Sequence, residues 1–209
     1  MKRQQDHYTR KAKSAGYPAR SVFKLQEIND KSRVLRSGNT VLDVGAAPGS
    51  WTQYAMKAVG PHGRVVAVDL TQFSLNPDPP NVTILQGDIT DAGTRSLLAQ
   101  TAPYDVVLSD AAPATTGNRT VDTARSAAIV DAVIDLALEL IKPGGKLVVK
   151  IFQGGEEKVF LDRLRGVSDS ARIFKPQASR SESFETYLIA TGVRPDRVRS
   201  TRSASTNVR

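Results

Sequence analysis

Short apolar runs, each closing on a glycine or an acid, recur along the chain. Val41-Leu42-Asp43-Val44-Gly45 is the first. Arg64 to Asp69, Val82 to Asp88 and Tyr104 to Asp110 repeat the pattern, and Lys146 to Phe152 adds a fifth run. Runs of this length without strict alternation are the signature of strands buried on both faces. Between them lie segments of helical character. Trp51 to Val59 stops at Gly60-Pro61, and Asp91 to Gln100 bridges the third and fourth runs. A long helix from Asp122 to Ile141 carries Ile129, Val133, Leu136 and Leu140 at helical spacing and ends at Lys142-Pro143-Gly144-Gly145. A helix over Glu156 to Arg165 precedes strands at Ala171 to Phe174 and Thr186 to Thr191. Alternation of this kind predicts an α/β fold, a mostly parallel seven-stranded sheet with helices on both faces. Thr115 to Thr120 and Gln177 to Ser183 read as polar loops.

The 209 residues suit one domain. Cysteine is absent, which excludes disulfides, thiolate-held metals and cysteine nucleophiles. Two histidines, His7 and His62, cannot build a His-rich metal site, so no metal is expected. No apolar run approaches the roughly 18 residues of a membrane span, and the basic N-terminus lacks the apolar stretch of a secretory signal. A cytoplasmic protein is expected.

The net charge of +8 sits at the two ends. Residues 1–24 hold seven bases against one acid, and residues 194–209 hold five against one, leaving a middle of −2. Clustered cations of this kind suit a polyanion, nucleic acid above all, although solubilising tails have the same composition. The division follows: a basic segment over 1–19 that contacts RNA, a catalytic domain over 20–193, and an Arg/Ser-rich disordered tail over 194–209. Toward the N-terminus Arg3, Arg10, Lys11, Lys13 and Arg20 are RNA candidates, with Tyr8 and Tyr17 as stacking residues. Arg180 is a further candidate. Phe23, Leu25 and Ile28 read as core.

In an open parallel sheet, ligands bind beyond the carboxyl ends of the strands. Gly45, Asp69, Asp88 and Asp110 all fall at such ends. Each aspartate alone could be a helix cap; four polar ends at one crevice point to a site. The first loop, Asp43-Val44-Gly45-Ala46-Ala47-Pro48-Gly49-Ser50-Trp51, is neither G-x-G-x-x-G nor a Walker loop. A pyrophosphate cradle, and with it a nicotinamide-dependent oxidoreductase, is disfavoured. Asp69 suits a ribose diol and Asp88 an adenine amino group. Together they describe an adenosine ligand without a pyrophosphate, and S-adenosylmethionine fits.

That loop resembles the first motif of the FtsJ-type ribose 2′-O-methyltransferases. The resemblance continues in Ser109-Asp110-Ala111-Ala112-Pro113 and in Val148-Val149-Lys150-Ile151-Phe152-Gln153-Gly154. It extends upstream through Tyr8, Arg10, Ala12, Lys13, Gly16-Tyr17, Arg20-Ser21 and Phe23-Lys24-Leu25, and downstream to Arg180 and Phe184-Glu185-Thr186-Tyr187. It covers residues 8 to 192. It implies a Rossmann-like methyltransferase fold and a catalytic set of Lys24, Asp110, Lys150 and Glu185. It also implies S-adenosylmethionine as cofactor, held by Gly49, Trp51, Asp69, Asp88 and Asp110. Ser50 departs from the pattern, which commonly has glycine there; at a helix start serine is tolerated as a cap.

Within the implied set, Lys150 is the candidate proton acceptor or oxyanion stabiliser. Burial and Lys24 favour a neutral amine, Asp110 and Glu185 an ammonium, and both roles stay open. Asp110 would orient Lys150 and touch the cofactor. Other methyl acceptors fit less well: 5-methylcytosine chemistry needs a cysteine, and Asp110-Ala111-Ala112-Pro113 differs from the loops of exocyclic-amine methylation. A 2′-hydroxyl target makes the substrate RNA. The resemblance points to a uridine in the A-loop of large-subunit ribosomal RNA, acted on by a monomer within the large ribosomal subunit. The alternatives are tRNA anticodon-loop methylation and a non-catalytic ribosome-assembly factor.

Overall fold

A computed structural model of the chain describes residues 2–179 and 183–197, with the side chains of residues 2–6 left aside. The sheet has seven strands: β1 (Thr40–Val44), β2 (Arg64–Asp69), β3 (Val82–Gln86), β4 (Tyr104–Ser109), β5 (Ile141–Phe152), β6 (Ser170–Phe174) and β7 (Glu185–Val193). Their order is β3-β2-β1-β4-β5-β7-β6. The first five are parallel, and β7 runs antiparallel to both β5 and β6. β6 and β7, consecutive in the chain, pair antiparallel, with no helix between them among the described residues.

Six helices accompany the sheet among the described residues: α1 (Lys2–Ser14), α2 (Val22–Ser32), α3 (Ser50–Val59), α4 (Ala92–Ala99), α5 (Arg119–Leu140) and α6 (Glu157–Gly166). Alternate strand residues divide between two layers. Leu42, Val66, Val107 and Leu188 pack with Leu98, Val133, Leu136 and Leu164 of α4, α5 and α6. Val41, Val65, Leu108, Val148 and Ile189 pack with Leu25 and Ile28 of α2 and with Trp51 and Ala55 of α3. Leu25 and Ile28 are core as expected; Phe23 instead joins a small satellite with Ala12, Val22 and Ala178. That satellite docks α1. Tyr8 lies 5.5 Å from Phe23, and Lys57 sits 4.3 Å over the Tyr17 ring. Both tyrosines expected to stack on RNA bases therefore hold the N-terminal helix to the domain.

Helix ends differ from the sequence pattern where side chains fold back on the backbone. α5 starts three residues early because Asn118 caps it, accepting from the N–H groups of Thr120 and Val121. Asp122, read as the start, instead accepts from the N–H groups of Thr116 and Gly117 and from the Thr116 hydroxyl. Ile141, read as helical, pairs with Tyr104 and opens β5, with a register shift before Lys146. Arg180 and the tail beyond Arg197, including Arg199, Arg202 and Arg209, lie outside the described residues.

Candidate active site

The carboxyl ends of β1, β2, β3 and β4 surround a cleft of about 470 Å³. Its walls include Gly45 and Ala47 after β1, Asp69 after β2, Asp88 after β3, Asp110 after β4, and Ile129 of α5. Ile129, one of the apolar positions at helical spacing, packs against the core and also reaches the cleft wall. Gly45 has φ 71°, and a Cβ there would meet the Ala111 Cβ at 2.5 Å. Only glycine permits that turn and that approach together. Asp69 accepts from the N–H groups of Ala47 (2.9 Å) and Thr71 (2.7 Å), which fixes its carboxylate at the mouth. Asp88 Oδ1 accepts from both the N–H and the hydroxyl of Thr90, and these bonds hold its carboxyl below the usual range. The other oxygen of Asp88 is left for the cleft.

Gly49 and Trp51 stand off that wall. A Cβ on Gly49 would meet the Leu75 side chain at 2.6 Å, so the glycine lies beneath the loop that follows β2. The Trp51 indole is buried: its Nε1 donates to the Ser21 carbonyl (2.9 Å) and its ring stacks on Tyr187 at 5.6 Å. Its large apolar ring is consumed by packing between α2, α3 and β7. What these two positions offer is backbone, since Gly49 (φ 98°) turns the chain into α3, and the first N–H groups of a helix have no intrahelical acceptor. Ser50 does not cap α3 either. Its hydroxyl accepts from the Ala19 N–H at 2.8 Å and so ties the first loop to the entry of α2.

Lys24, Asp110, Lys150 and Glu185 converge. In the β5–β7 register Lys150 lies opposite Tyr187 and Phe152 opposite Glu185. Glu185 and Tyr187, two apart on β7, share a face. Lys150 Nζ reaches Asp110 Oδ1 at 3.1 Å and also donates to the Asp110 main-chain carbonyl. The Tyr187 hydroxyl donates to the same Oδ1 at 2.7 Å. Lys24, from α2, pairs with Glu185 Oε2 at 2.6 Å. Burial alone would raise the Glu185 carboxyl. The Lys24 and Lys150 charges, with hydrogen bonds from Lys24 and Ser183, outweigh burial and hold it below the usual range.

Lys24 and Glu185 line a second cavity of about 470 Å³, shared with Arg20, Ser21, Thr115, Phe152, Ser183 and Phe184. The Lys150–Asp110 pair thus stands between two spaces. Asp110 belongs to the wall of the first, and the charge of Lys150 acts on Glu185 in the wall of the second.

Two participants escaped sequence reasoning. Asp43 is fully buried in β1, with Oδ2 accepting from the Thr52 hydroxyl at 2.7 Å and Oδ1 lacking a partner. Burial pushes its carboxyl up to about 7 against the Thr52 bond, and the charges of Asp110 and Asp69 add to the rise. An acid inside an otherwise apolar strand was the available signal. Tyr187 stood in the last motif of the resemblance but drew no role, because an aromatic residue in a strand reads as core. Of the RNA candidates, Arg20 is engaged internally, donating to the Ala178 carbonyl and lying 5.5 Å over Tyr8. Among the described residues, no group of three or more His, Asp or Glu is placed to hold a metal ion, and no helix is long and apolar enough to cross a membrane.

Comparison with known proteins agrees with this geometry. The model of the FtsJ-like methyltransferase family matches residues 17–193. "Ribosomal RNA large subunit methyltransferase E" of Treponema denticola is 49% identical over 184 residues, covering 88% of this chain and 92% of that protein. The protein of the same name from Syntrophobacter fumaroxidans is 47% identical, covering 90% and 96%. A Plasmodium falciparum structure assigned as a ribosomal RNA methyltransferase superposes with a TM-score of 0.73 at 25% identity, covering 85% of this chain and 98% of that one. Fibrillarin from Aeropyrum pernix shares the fold at 16% identity and a TM-score of 0.54, over 76% and 68%. With a family match that spans the whole sheet and relatives near half identity, the chain belongs to the FtsJ-like methyltransferase family.

Proposed function

We propose that the protein transfers a methyl group from S-adenosylmethionine to a ribose 2′-hydroxyl of ribosomal RNA, at a uridine in the A-loop of the large subunit. The observation that carries this reading is the Lys150–Asp110 pair standing between two cavities, one suited to the cofactor and one to the acceptor. The names of the relatives support ribosomal RNA over tRNA. Large exposed apolar side chains, such as Leu70, Leu97 and Val159, are few, which suits a monomer.

The first cleft fits the cofactor. Its volume lies within the range of about 300–1,000 Å³ usual for small-molecule sites. Asp69 would hold the ribose diol, and the free oxygen of Asp88 the adenine amino group. The backbone turn at Gly45 admits close approach, and the first N–H groups of α3, with Gly49 at the turn, would receive a carboxylate. When bound, S-adenosylmethionine supplies an activated methyl on a sulfonium.

The protein's own part is alignment and proton handling. Asp110 holds Lys150 through two acceptors, which leaves one of the three N–H positions of the charged amine for an acceptor oxygen. As a neutral amine, Lys150 would take the 2′-hydroxyl proton while that oxygen receives the methyl group that the cofactor would supply. As an ammonium, it stabilises the developing charge on oxygen while the proton leaves to water. Lys24 and Glu185 would fix the ribose on the far side. Placement alone contributes several kcal/mol, up to about 7–11 in ideal cases.

The test is transfer of labelled methyl to unmodified large ribosomal subunits, naked ribosomal RNA and bulk tRNA, with a 2′-O-methyl nucleoside sought after digestion. Wild type should label the subunits, and Lys150→Ala should lose roughly 100- to 10,000-fold in turnover. Label confined to tRNA would overturn the substrate. Cofactor binding without transfer to any RNA would favour an assembly factor.

A further inference from the structure

The second cavity is lined by two kinds of group. Lys24 and Glu185 are paired at 2.6 Å. Beside them stand two aromatic rings, Phe152 and Phe184, with centroids 4.6 Å apart and planes at 69°. Phe152 is buried, whereas Phe184 stays half-buried on the cavity wall. A ring left partly open beside a charged pair is unexplained by packing alone.

The ring is also held in place. The Phe184 carbonyl accepts from the Gln153 N–H at 2.7 Å. Lys175 donates to the Ser183 carbonyl at 3.0 Å, and the Ser183 hydroxyl accepts from the Glu185 N–H at 3.2 Å. Arg119, anchored on the Gln153 carbonyl, places its guanidinium 5.6 Å from the centre of the Phe184 ring. Arg119 is not on the cavity wall, so it backs the ring without filling the space.

We propose that this cavity receives the acceptor nucleotide with its base stacked against Phe184, which makes Phe184 the residue that positions the base. The inference rests on RNA being the substrate. A nucleotide whose ribose lies against Lys24 and Glu185 carries its base beside that ribose, and Phe184, next to Glu185 in the chain and on the same cavity wall, offers it an aromatic surface. Stacking accepts any base face, so Phe184 contributes placement more than sequence choice. The guanidinium behind the ring strengthens the platform.

The experiment compares Phe184→Ala, Phe184→Leu and Phe184→Trp in methyl transfer to unmodified large subunits, with melting temperature and S-adenosylmethionine binding measured on each. Alanine and leucine should each lower kcat/KM for RNA about 10- to 100-fold, with cofactor affinity unchanged. Tryptophan should restore it to within a few-fold of wild type. Leucine fills the gap beside Phe152 but has no π-face, so wild-type transfer by the leucine variant would overturn the proposal and leave Phe184 a packing residue. Equal loss in all three at unchanged melting temperature would overturn it as well. Failure of the wild type to methylate any RNA would instead remove the underlying reading. Should the alanine variant not fold, leucine against tryptophan still decides.

Discussion

The cleft at the ends of β1 to β4 is walled by glycine, alanine and three short carboxylates. The cavity beside Lys24 is walled by long cations, a glutamate and two phenylalanines. The first is assembled from successive strand ends, with two of its carboxylates braced by residues close in sequence, Thr71 on Asp69 and Thr90 on Asp88. The second is assembled from distant chain segments, and Lys24 and Glu185 are 161 positions apart. The local cleft needs only its own turns to be correct, whereas the composite cavity needs α2, β5 and β7 to be packed together. Asp110 and Lys150 join the two.

The largest disturbance should come from the residue common to both. Asp110→Ala leaves Lys150 buried without its carboxylate and the Tyr187 hydroxyl without its acceptor. Breaking a buried pair costs about 3–5 kcal/mol. Denaturant unfolding should show a loss of that order, and methyl transfer should fall to background. A variant as stable as wild type would show that the two cavities are not joined through this side chain.

Tyr187→Phe should be milder and should fall on the composite side. It removes one hydrogen bond to a carboxylate, a contribution of about 1.5–3 kcal/mol. Stacking on Trp51 remains. Turnover should drop about tenfold while affinity in the cleft is retained, because Asp69 and Asp88 are untouched.

Asp43→Asn tests the local side through pH. Burial raises the folded carboxyl to about 7, whereas the unfolded one keeps its ordinary value of 3.8. Between those values the folded state binds more protons, so wild-type stability falls as pH rises through this window. Asparagine does not titrate and can still accept from the Thr52 hydroxyl. The melting temperature of the variant should exceed that of wild type at pH 8, and the gap should narrow at pH 5. A constant gap would mean that Asp43 is ionised at both.

Glu185→Gln should have the smallest effect on stability, visible only in acid. Its carboxyl is held below the usual range in the folded state, so its stabilisation is present above the unfolded value and lost as pH falls through the folded one. Below about pH 4.5 wild type should lose stability more steeply than the variant. Parallel acid limbs would show that the Lys24 pair contributes nothing to folding.

The sheet was legible in the pattern of apolar residues because strands buried on both faces need a continuous run, and the runs at Val41, Arg64 and Tyr104 begin within one residue of the observed strands. Helix starts were less legible. Asn118 and Asp122 are both capping residues, and only the folded loop decides which one opens α5 and which one braces Thr116. In the site, Asp69, Asp88 and Asp110 were readable from their place at strand ends. Lys24, Lys150 and Glu185 entered only through a family resemblance, since a lysine in a strand and a glutamate before one have ordinary readings. Trp51 entered the same way, and the packing of its ring on Tyr187 and the Ser21 carbonyl is visible only in the fold.

By itself, the sequence determined the layered α/β architecture and the local cleft, because hydrophobic period, turn glycines and strand-end acids act over a few residues. The tertiary structure alone decided that Tyr187 reaches Asp110, that Lys24 meets Glu185, that Ser50 binds Ala19 and that Phe184 faces a cavity. Those contacts depend on the antiparallel register of β7 against β5 and on α2 lying across that face. Side chains far apart along the chain become neighbours only when burial of the two apolar layers brings their backbones together.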